Sequence, residues 1–167
     1  VTFDEQATQL TFGGNLLSVT FQNGEVVITS EVPEANFTGM VTLVGECANL
    51  PSTVSIYEAG TDVLVRSQNV SGSSFNVLGL DPSLNYDIYV KTERYLQSKL
   101  ENVQLQALPG ENNLDFGPQI PGDVNDDNQV TGEDYVLLKN SYDLSVEDSD
   151  FNEMADFNCD NFISGED

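Results

Sequence analysis

The stretch Asp123-Val124-Asn125-Asp126-Asp127-Asn128-Gln129-Val130-Thr131-Gly132-Glu133-Asp134 carries side-chain oxygens at positions 1, 3, 5, 9 and 12. A loop spaced in this way gathers the six to eight oxygens, at about 2.3–2.6 Å, that calcium requires. Asp123, Asn125 and Asp127 are the first three candidate ligands, and the backbone carbonyl of Gln129 is the fourth. Thr131 is placed to act through a water, and Asp134 closes the shell from the first turn of a following helix. Position 6, where the chain must turn sharply, ordinarily takes Gly. Here it is Asn128, a residue that tolerates left-handed dihedrals.

The pattern recurs 33 residues later in Asp156, Asn158, Asp160, Asn161, Phe162, Ile163, Ser164 and Asp167. By the same spacing, the candidate ligands are the side chains of Asp156, Asn158, Asp160, Ser164 and Asp167, with the carbonyl of Phe162 at position 7. Both loops read Asp-x-Asn-x-Asp-Asn, both have an apolar residue at position 8, and both end in Gly-Glu-Asp. One acidic dodecamer arises easily by chance in an acidic chain; two in matching register do not. Two calcium ions are therefore expected. Val130, at position 8 of the first loop, is expected to pair its backbone with the partner loop.

These duplicated EF-hand-like loops, with Asp rather than Glu at position 12, resemble the dockerin module. The likeness covers residues 122–167. Within it, Tyr135–Lys139 resembles the first dockerin helix, and Phe151-Asn152-Glu153-Met154-Ala155 resembles the helix leading into the second repeat. The resemblance implies a non-catalytic, calcium-dependent assembly module whose partner is a cohesin-type protein module. It implies partner contacts at Gly132, Glu133, Tyr135, Val136 and Lys139, and at Gly165 and Glu166 in the second repeat. The sequence reaches only position 12 of the second loop, so the helix that would follow it is missing from the expected module.

Working outward, the charge is lopsided. Residues 118–167 hold 14 acids with Lys139 as the only base, and residues 1–117 hold another 14 acids with the other four bases. A net charge of −23 repels nucleic acid and anionic lipid. No apolar run is long enough to span a membrane. With no His and no Trp, Ser-His-Asp and Cys-His catalytic sets are excluded. Carboxylates alone would have to run any chemistry, and the clustered ones are taken up by the loops. The expected location is extracellular or at the cell surface. The sequence begins inside a strand-like pattern, Val1-Thr2-Phe3, as a piece of a longer chain would.

Upstream of the loops the pattern is β throughout. Leu17, Val19 and Phe21 alternate with polar residues, then Asn23-Gly24 and Val26-Val27-Ile28 complete a hairpin signal. Further strands are expected over Met40–Val44, Thr53–Glu58, Val63–Arg66, Ser74–Leu78, Tyr86–Lys91 and Val103–Leu108, with Tyr86, Ile88 and Val90 facing one layer. The fold class is thus a mainly β, antiparallel sandwich followed by a small α-helical calcium-binding domain. Residues 1–36 read as N-terminal strands, 37–117 as the sandwich and 118–167 as the calcium domain. Glu31–Asn36 and Gly117–Gly122 are expected as joints, the second a semi-rigid spacer stiffened by Pro118 and Pro121. Thr131 is expected to cap a short helix running to Tyr142.

Residues 38–116 resemble the carboxypeptidase regulatory-like, or transthyretin-like, sandwich, of the immunoglobulin-like class. The resemblance rests on Gly39-Met40-Val41-Thr42-Leu43, on Ser74–Leu80 and on the Leu84–Val90 strand leading to Arg94-Tyr95-Leu96. It implies a spacer or docking platform. Two alternatives stay open for the whole: the calcium domain packs on the sandwich as a stabilising cap, or the sandwich binds carbohydrate through tyrosines such as Tyr89 and Tyr95. Cys47 and Cys159 are either a disulfide stapling the two parts or two unpaired thiols.

Overall fold

The computed structural model describes residues 10–12, 15–22, 25–30, 33–45, 47 and 50–167. Three N-terminal strands, β1 (Leu10–Phe12), β2 (Asn15–Gln22) and β3 (Glu25–Ser30), form an antiparallel sheet with Gln22 opposite Glu25. The turn expected at Asn23-Gly24, and Glu31 in the expected joint, lie outside the described residues.

The sandwich follows. Strands β4 (Ala35–Leu43), β5 (Pro51–Glu58), β6 (Leu64–Ser71), β7 (Ser74–Leu80), β8 (Asn85–Thr92), β10 (Ser98–Gln104) and β11 (Asn113–Gln119) make two layers. One layer is ordered β10-β8-β5-β6 and the other β11-β4-β7. Alternation along each strand sends one side inward. Ala35, Phe37 and Val41 from β4, Val54 and Ile56 from β5, Phe75 and Val77 from β7, and Tyr86, Ile88 and Val90 from β8 form the buried core. A mainly β sandwich with one helix is thus the architecture.

Four details depart from the sequence expectation. The fold is not wholly antiparallel, because β11 pairs with β4 in parallel. Strand β11 was not expected, since Asn113, Asp115, Gly117 and Pro118 are poor strand formers. It is an edge strand, where a proline removes no ladder bond, and it breaks register between Asp115 and Pro118 around Gly117 at φ +69°. Residues 105–112, partly expected as strand, are not in one; β10 ends at Gln104. The proposed divisions after residues 36 and 117 fall inside β4 and β11.

The expected spacer is built into the sheets. Val44 N–H donates to the Gln119 carbonyl (3.2 Å) and Leu96 N–H to that of Ile120 (2.9 Å). Strand β12 (Pro121–Asp123) pairs with β9 (Arg94–Tyr95). Gln119, 1% exposed, donates its amide to the Val90 carbonyl at 2.7 Å and accepts from the Thr92 hydroxyl, which in turn shares a hydrogen bond with Ser52. A satisfied buried polar chain of this kind fixes where the exit strand leaves the sandwich.

Gly39 shows why the opening motif of β4 needs a glycine. A Cβ there would stand 2.2 Å from the Phe75 ring, which packs against Phe37 and Phe116 at centroid distances of 6.2 and 5.8 Å. Gly39→Ala is expected to destabilise the fold by about 1–3 kcal/mol, the range for overpacking a filled core. Urea unfolding followed by tyrosine fluorescence measures it.

Candidate metal centre

Strand β12 delivers the chain into the first loop at Asp123, and the loop leads directly into helix α1 (Gly132–Asn140). Thr131 is its N-cap: Glu133 N–H donates to the Thr131 hydroxyl (3.2 Å), and Thr131 N–H donates back to the Asp134 carboxylate (2.7 Å). This reciprocal cap satisfies two of the free amides of the helix start, and Glu133 and Asp134 oppose its positive end. Helix α1 ends two residues before Tyr142. Ser141 accepts from Asn152 N–H (2.6 Å) and donates to the Asp150 carbonyl (3.1 Å), tying the helix end to the approach to loop two. That approach is a single 3-10 turn, Glu153–Ala155, shorter than the helix expected over Phe151–Ala155.

The two loops use one hydrogen-bond scheme. The position-1 carboxylate accepts from the position-6 amide: Asn128 N to Asp123 at 2.9 Å, and Asn161 N to Asp156 at 3.0 Å. Position 3 accepts from position 5, at 3.1 Å for Asn125 and 3.0 Å for Asn158. Position 5 accepts from position 7, so that Gln129 N meets Asp127 (2.8 Å) and Phe162 N meets Asp160 (2.9 Å). The position-12 carboxylate closes back on positions 2 and 3: Asp134 accepts from Val124 and Asn125, and Asp167 from Phe157 and Asn158. Ser164 N–H donates to Asp167 at 3.0 Å, as Thr131 N–H does to Asp134. Positions 4 and 6 are left-handed in both loops, with φ of 62° and 65° at Asp126 and Asn128 and 58° and 69° at Cys159 and Asn161.

Each loop also feeds the small tail core. Val124 and Phe157, both at position 2, join Ala155 and Ile163, with Leu137, Leu138, Phe151 and Met154 packed around them. Position 8 is where the loops differ. Ile163 is buried and bonds Asp143 and Leu144 through its backbone, at 2.9 Å each way. Val130 is 54% exposed and lies over Gly122. The expected pairing of Val130 with the second loop is therefore replaced by pairing of the second loop with the segment after α1.

The donor set is one of hard oxygens. Asp123 and Asp134 are buried, as is Asp156. Burial alone would push the Asp134 carboxyl up, but the Thr131, Asn125 and Val124 amides and the Thr131 hydroxyl hold it below its ordinary value. Among the described residues no three Asp, Glu, His or Cys groups converge as a ready-made metal cluster, because these carboxylates are turned onto backbone amides. Two buried side-chain atoms here lack a hydrogen-bond partner, Arg94 Nε and, alone within the donor set, Asp123 Oδ1. A buried carboxylate oxygen with nothing to accept calls for a cation. The residues fit calcium on that observation and on their all-oxygen chemistry.

Of the expected partner-contact residues, Gly132, Glu133, Tyr135, Val136 and Lys139 lie on α1 and are exposed, Tyr135 to 63%. Gly165 and Glu166 are exposed at the end of loop two. Tyr95, for which sugar stacking was only an open alternative, is fully buried and donates its hydroxyl to the Val44 carbonyl (3.1 Å). Tyr89 stays partly exposed, edge-on to Tyr57 with Lys99 over its ring.

The sandwich also supplies groups that sequence inspection did not single out. Lys91 donates to Asp123 (2.7 Å) and pairs with Asp126 (2.6 Å), and Arg94 donates to the Asp156 carbonyl (2.6 Å). Gln97 N–H donates to the Asn128 side chain (2.7 Å). Of the two states open for the cysteines, the structure holds the disulfide, Cys47 to Cys159 with Cα atoms 5.1 Å apart. The signal for the basic pair was scarcity: two of only five bases stand three residues apart, Lys91 in β8 and Arg94 in β9.

Residues 121–167 match the model of the Dockerin type I domain. No curated protein matches the chain in sequence. Two solved complexes from Acetivibrio cellulolyticus, a C-terminal and an N-terminal interface mutant of a type II cohesin–X-dockerin complex, are similar in fold, with TM-scores of 0.54 and 0.58. Each is 17% identical, and the match covers 79% of this chain and 89% of the other. That coverage takes in the sandwich as well as the 47-residue segment of the family match.

Two predictions follow the loop geometry. Asn161→Gly is expected to be neutral, whereas Asn161→Val is expected to cost about 1–2 kcal/mol because a β-branched residue resists left-handed dihedrals. Asn128→Gly loses the bond from Gln97 and should fall between them in thermal melts of the calcium-free chain. Replacing both cysteines by Ser removes a link between residues 112 apart. It is expected to lower stability by at most about 4–5 kcal/mol on the loop-entropy scale, seen as a lower melting temperature.

Proposed function

We propose that residues 118–167 form a calcium-dependent assembly module that binds a cohesin-type partner, carried on a non-catalytic β-sandwich at residues 37–117. The observation that carries it is the duplicated hydrogen-bond scheme of the loops, with the partnerless oxygen of Asp123 buried at position 1. Asp123, Asn125, Asp127, the Gln129 carbonyl, Thr131 and Asp134 would hold one ion. Asp156, Asn158, Asp160, the Phe162 carbonyl, Ser164 and Asp167 would hold a second. The ion neutralises crowded carboxylates and so completes the fold from which α1 projects. Tyr135 and Val136, exposed apolar residues on α1, are the expected anchors, with Glu133 and Lys139 at their rim. Gly165 and Glu166 repeat Gly132 and Glu133 in the second loop.

The sandwich is read as a carboxypeptidase regulatory-like or transthyretin-like platform. The disulfide fits an oxidising compartment and so supports the reading that the parent protein lies outside the cell or at its surface. A second role is favoured by the contacts of Lys91, Arg94 and Cys47: the tail also caps the sandwich. Assembly and capping are compatible, since the capping contacts use loop positions 1, 4 and 6 and the expected anchors lie on α1.

The family match is of type I and the similar folds come from a type II complex, so the test uses cohesins of both types. Titrating the intact chain with calcium in a calorimeter should show two binding events, and Asp123→Asn with Asp134→Asn should remove one. Cohesin binding by surface plasmon resonance should be lost in excess chelator and weakened at least tenfold, about 1.4 kcal/mol, by Tyr135→Ala with Val136→Ala. Calcium-independent binding, or no binding to any cohesin, would reject this function.

A further inference from the structure

The sandwich grips the same corner of each loop by different means. In the second loop, position 4 is Cys159, held covalently by Cys47, and position 1 is held through its backbone carbonyl by Arg94. That leaves the Asp156 carboxylate to the loop's own amides. In the first loop, position 4 is Asp126 and position 1 is Asp123, and Lys91 Nζ takes both carboxylates, at 2.6 and 2.7 Å. The Lys91 ammonium also donates to the Tyr95 carbonyl (2.7 Å), so it is fixed by the sandwich rather than tethered loosely. It is mostly covered, and Asp123 is fully so. An ion pair in such surroundings is far less screened than one at the surface.

The two oxygens of Asp123 divide the work. Oδ2 accepts from Lys91 and from Asn128 N–H, while Oδ1 is buried and bare. The ammonium therefore sits on Oδ2 and leaves Oδ1 without a partner.

We propose that Lys91 is a built-in counter-cation of the first loop, which stabilises that loop when calcium is absent and lowers its calcium affinity. This rests on the calcium reading of the loops. Without the ion, Asp123, Asp126, Asp127 and Asp134 repel one another, and one fixed positive charge offsets part of that repulsion. With the ion, the same charge opposes a dication a few ångströms away. The first loop thus stays shaped and docked on β8 and β9 in calcium-free protein.

The test uses the intact chain with Asp156→Asn, which disables the second loop, so that calorimetry reads the first loop alone. In that background Lys91→Met should raise calcium affinity by at least about tenfold, since a single charge acting on a dication at a few ångströms has that effect even under water-like screening. The same substitution should lower the melting temperature measured in chelator, and Lys91→Arg, which keeps the charge, should change neither much. Unchanged or weakened calcium affinity in the Met variant, or an unchanged chelator melting temperature, overturns the proposal. If the chain with both loops native binds no calcium, the calcium reading itself fails.

Discussion

A carboxylate removed from water must be answered by hydrogen bonds, by a cation or by a proton. Asp123 is the residue where this constraint is sharpest. It is fully buried at the point where strand β12 becomes the first loop, and one of its oxygens has no partner. Much of the surrounding structure follows from holding that one group. The Asn128 amide reaches it only because the backbone turns left-handed at Asp126 and Asn128. Lys91 reaches it only because β12 pairs with β9, which brings the loop against the end of β8. The exit strand is held there in turn by Gln119, locked between the Val90 carbonyl and Thr92.

The duplication of the loops is a duplication of local chemistry more than of environment. Positions 1, 3, 5, 6, 7, 9 and 12 make the same bonds twice, and position 2 is a core residue twice. Those bonds span at most ten residues and depend on nothing outside the loop. Position 8 and the restraint at position 4 depend on neighbours, and there symmetry breaks: Ile163 is buried against the segment after α1 while Val130 is exposed, and Cys159 is covalently held where Asp126 is ion-paired.

The same distinction governs what was legible in the sequence. The repeating loop positions, the left-handed turn at position 6 and the Thr131 cap are short-range features, and each could be named from spacing alone. Strands β5, β7 and β8 alternate apolar and polar residues because one face meets the core, so they too were readable. Strand β11 was not, because Asn113, Asp115 and Pro118 become a strand through parallel pairing with β4 rather than through their own propensity. The spacer expected from Pro118 and Pro121 failed for the same reason: stiffness read from composition says nothing about a sheet edge waiting alongside. Nothing near Lys91 in the sequence announces Asp123, 32 residues on, and the Cys47–Cys159 link stayed open because pairing is a property of the docked whole. At Tyr95, where stacking stood open as an alternative to packing, tertiary packing buries the ring completely.

Docking the loops on the sandwich has a consequence for how α1 is presented. Helix α1 begins at position 10 of the first loop, with no intervening residues in which orientation could be lost. The loop itself is fixed at its start by the β9–β12 pair, at position 4 by Lys91 and at position 6 by the Gln97 amide. A binding face on a free tail must be ordered at the moment of association, and that ordering opposes binding. Here much of it is settled by the fold. The negative charge gathered in the loops would disorder them if left alone. Placing two of the five bases, Lys91 and Arg94, against the two loops lets the sandwich hold that charge in place while leaving one oxygen of Asp123 without a partner.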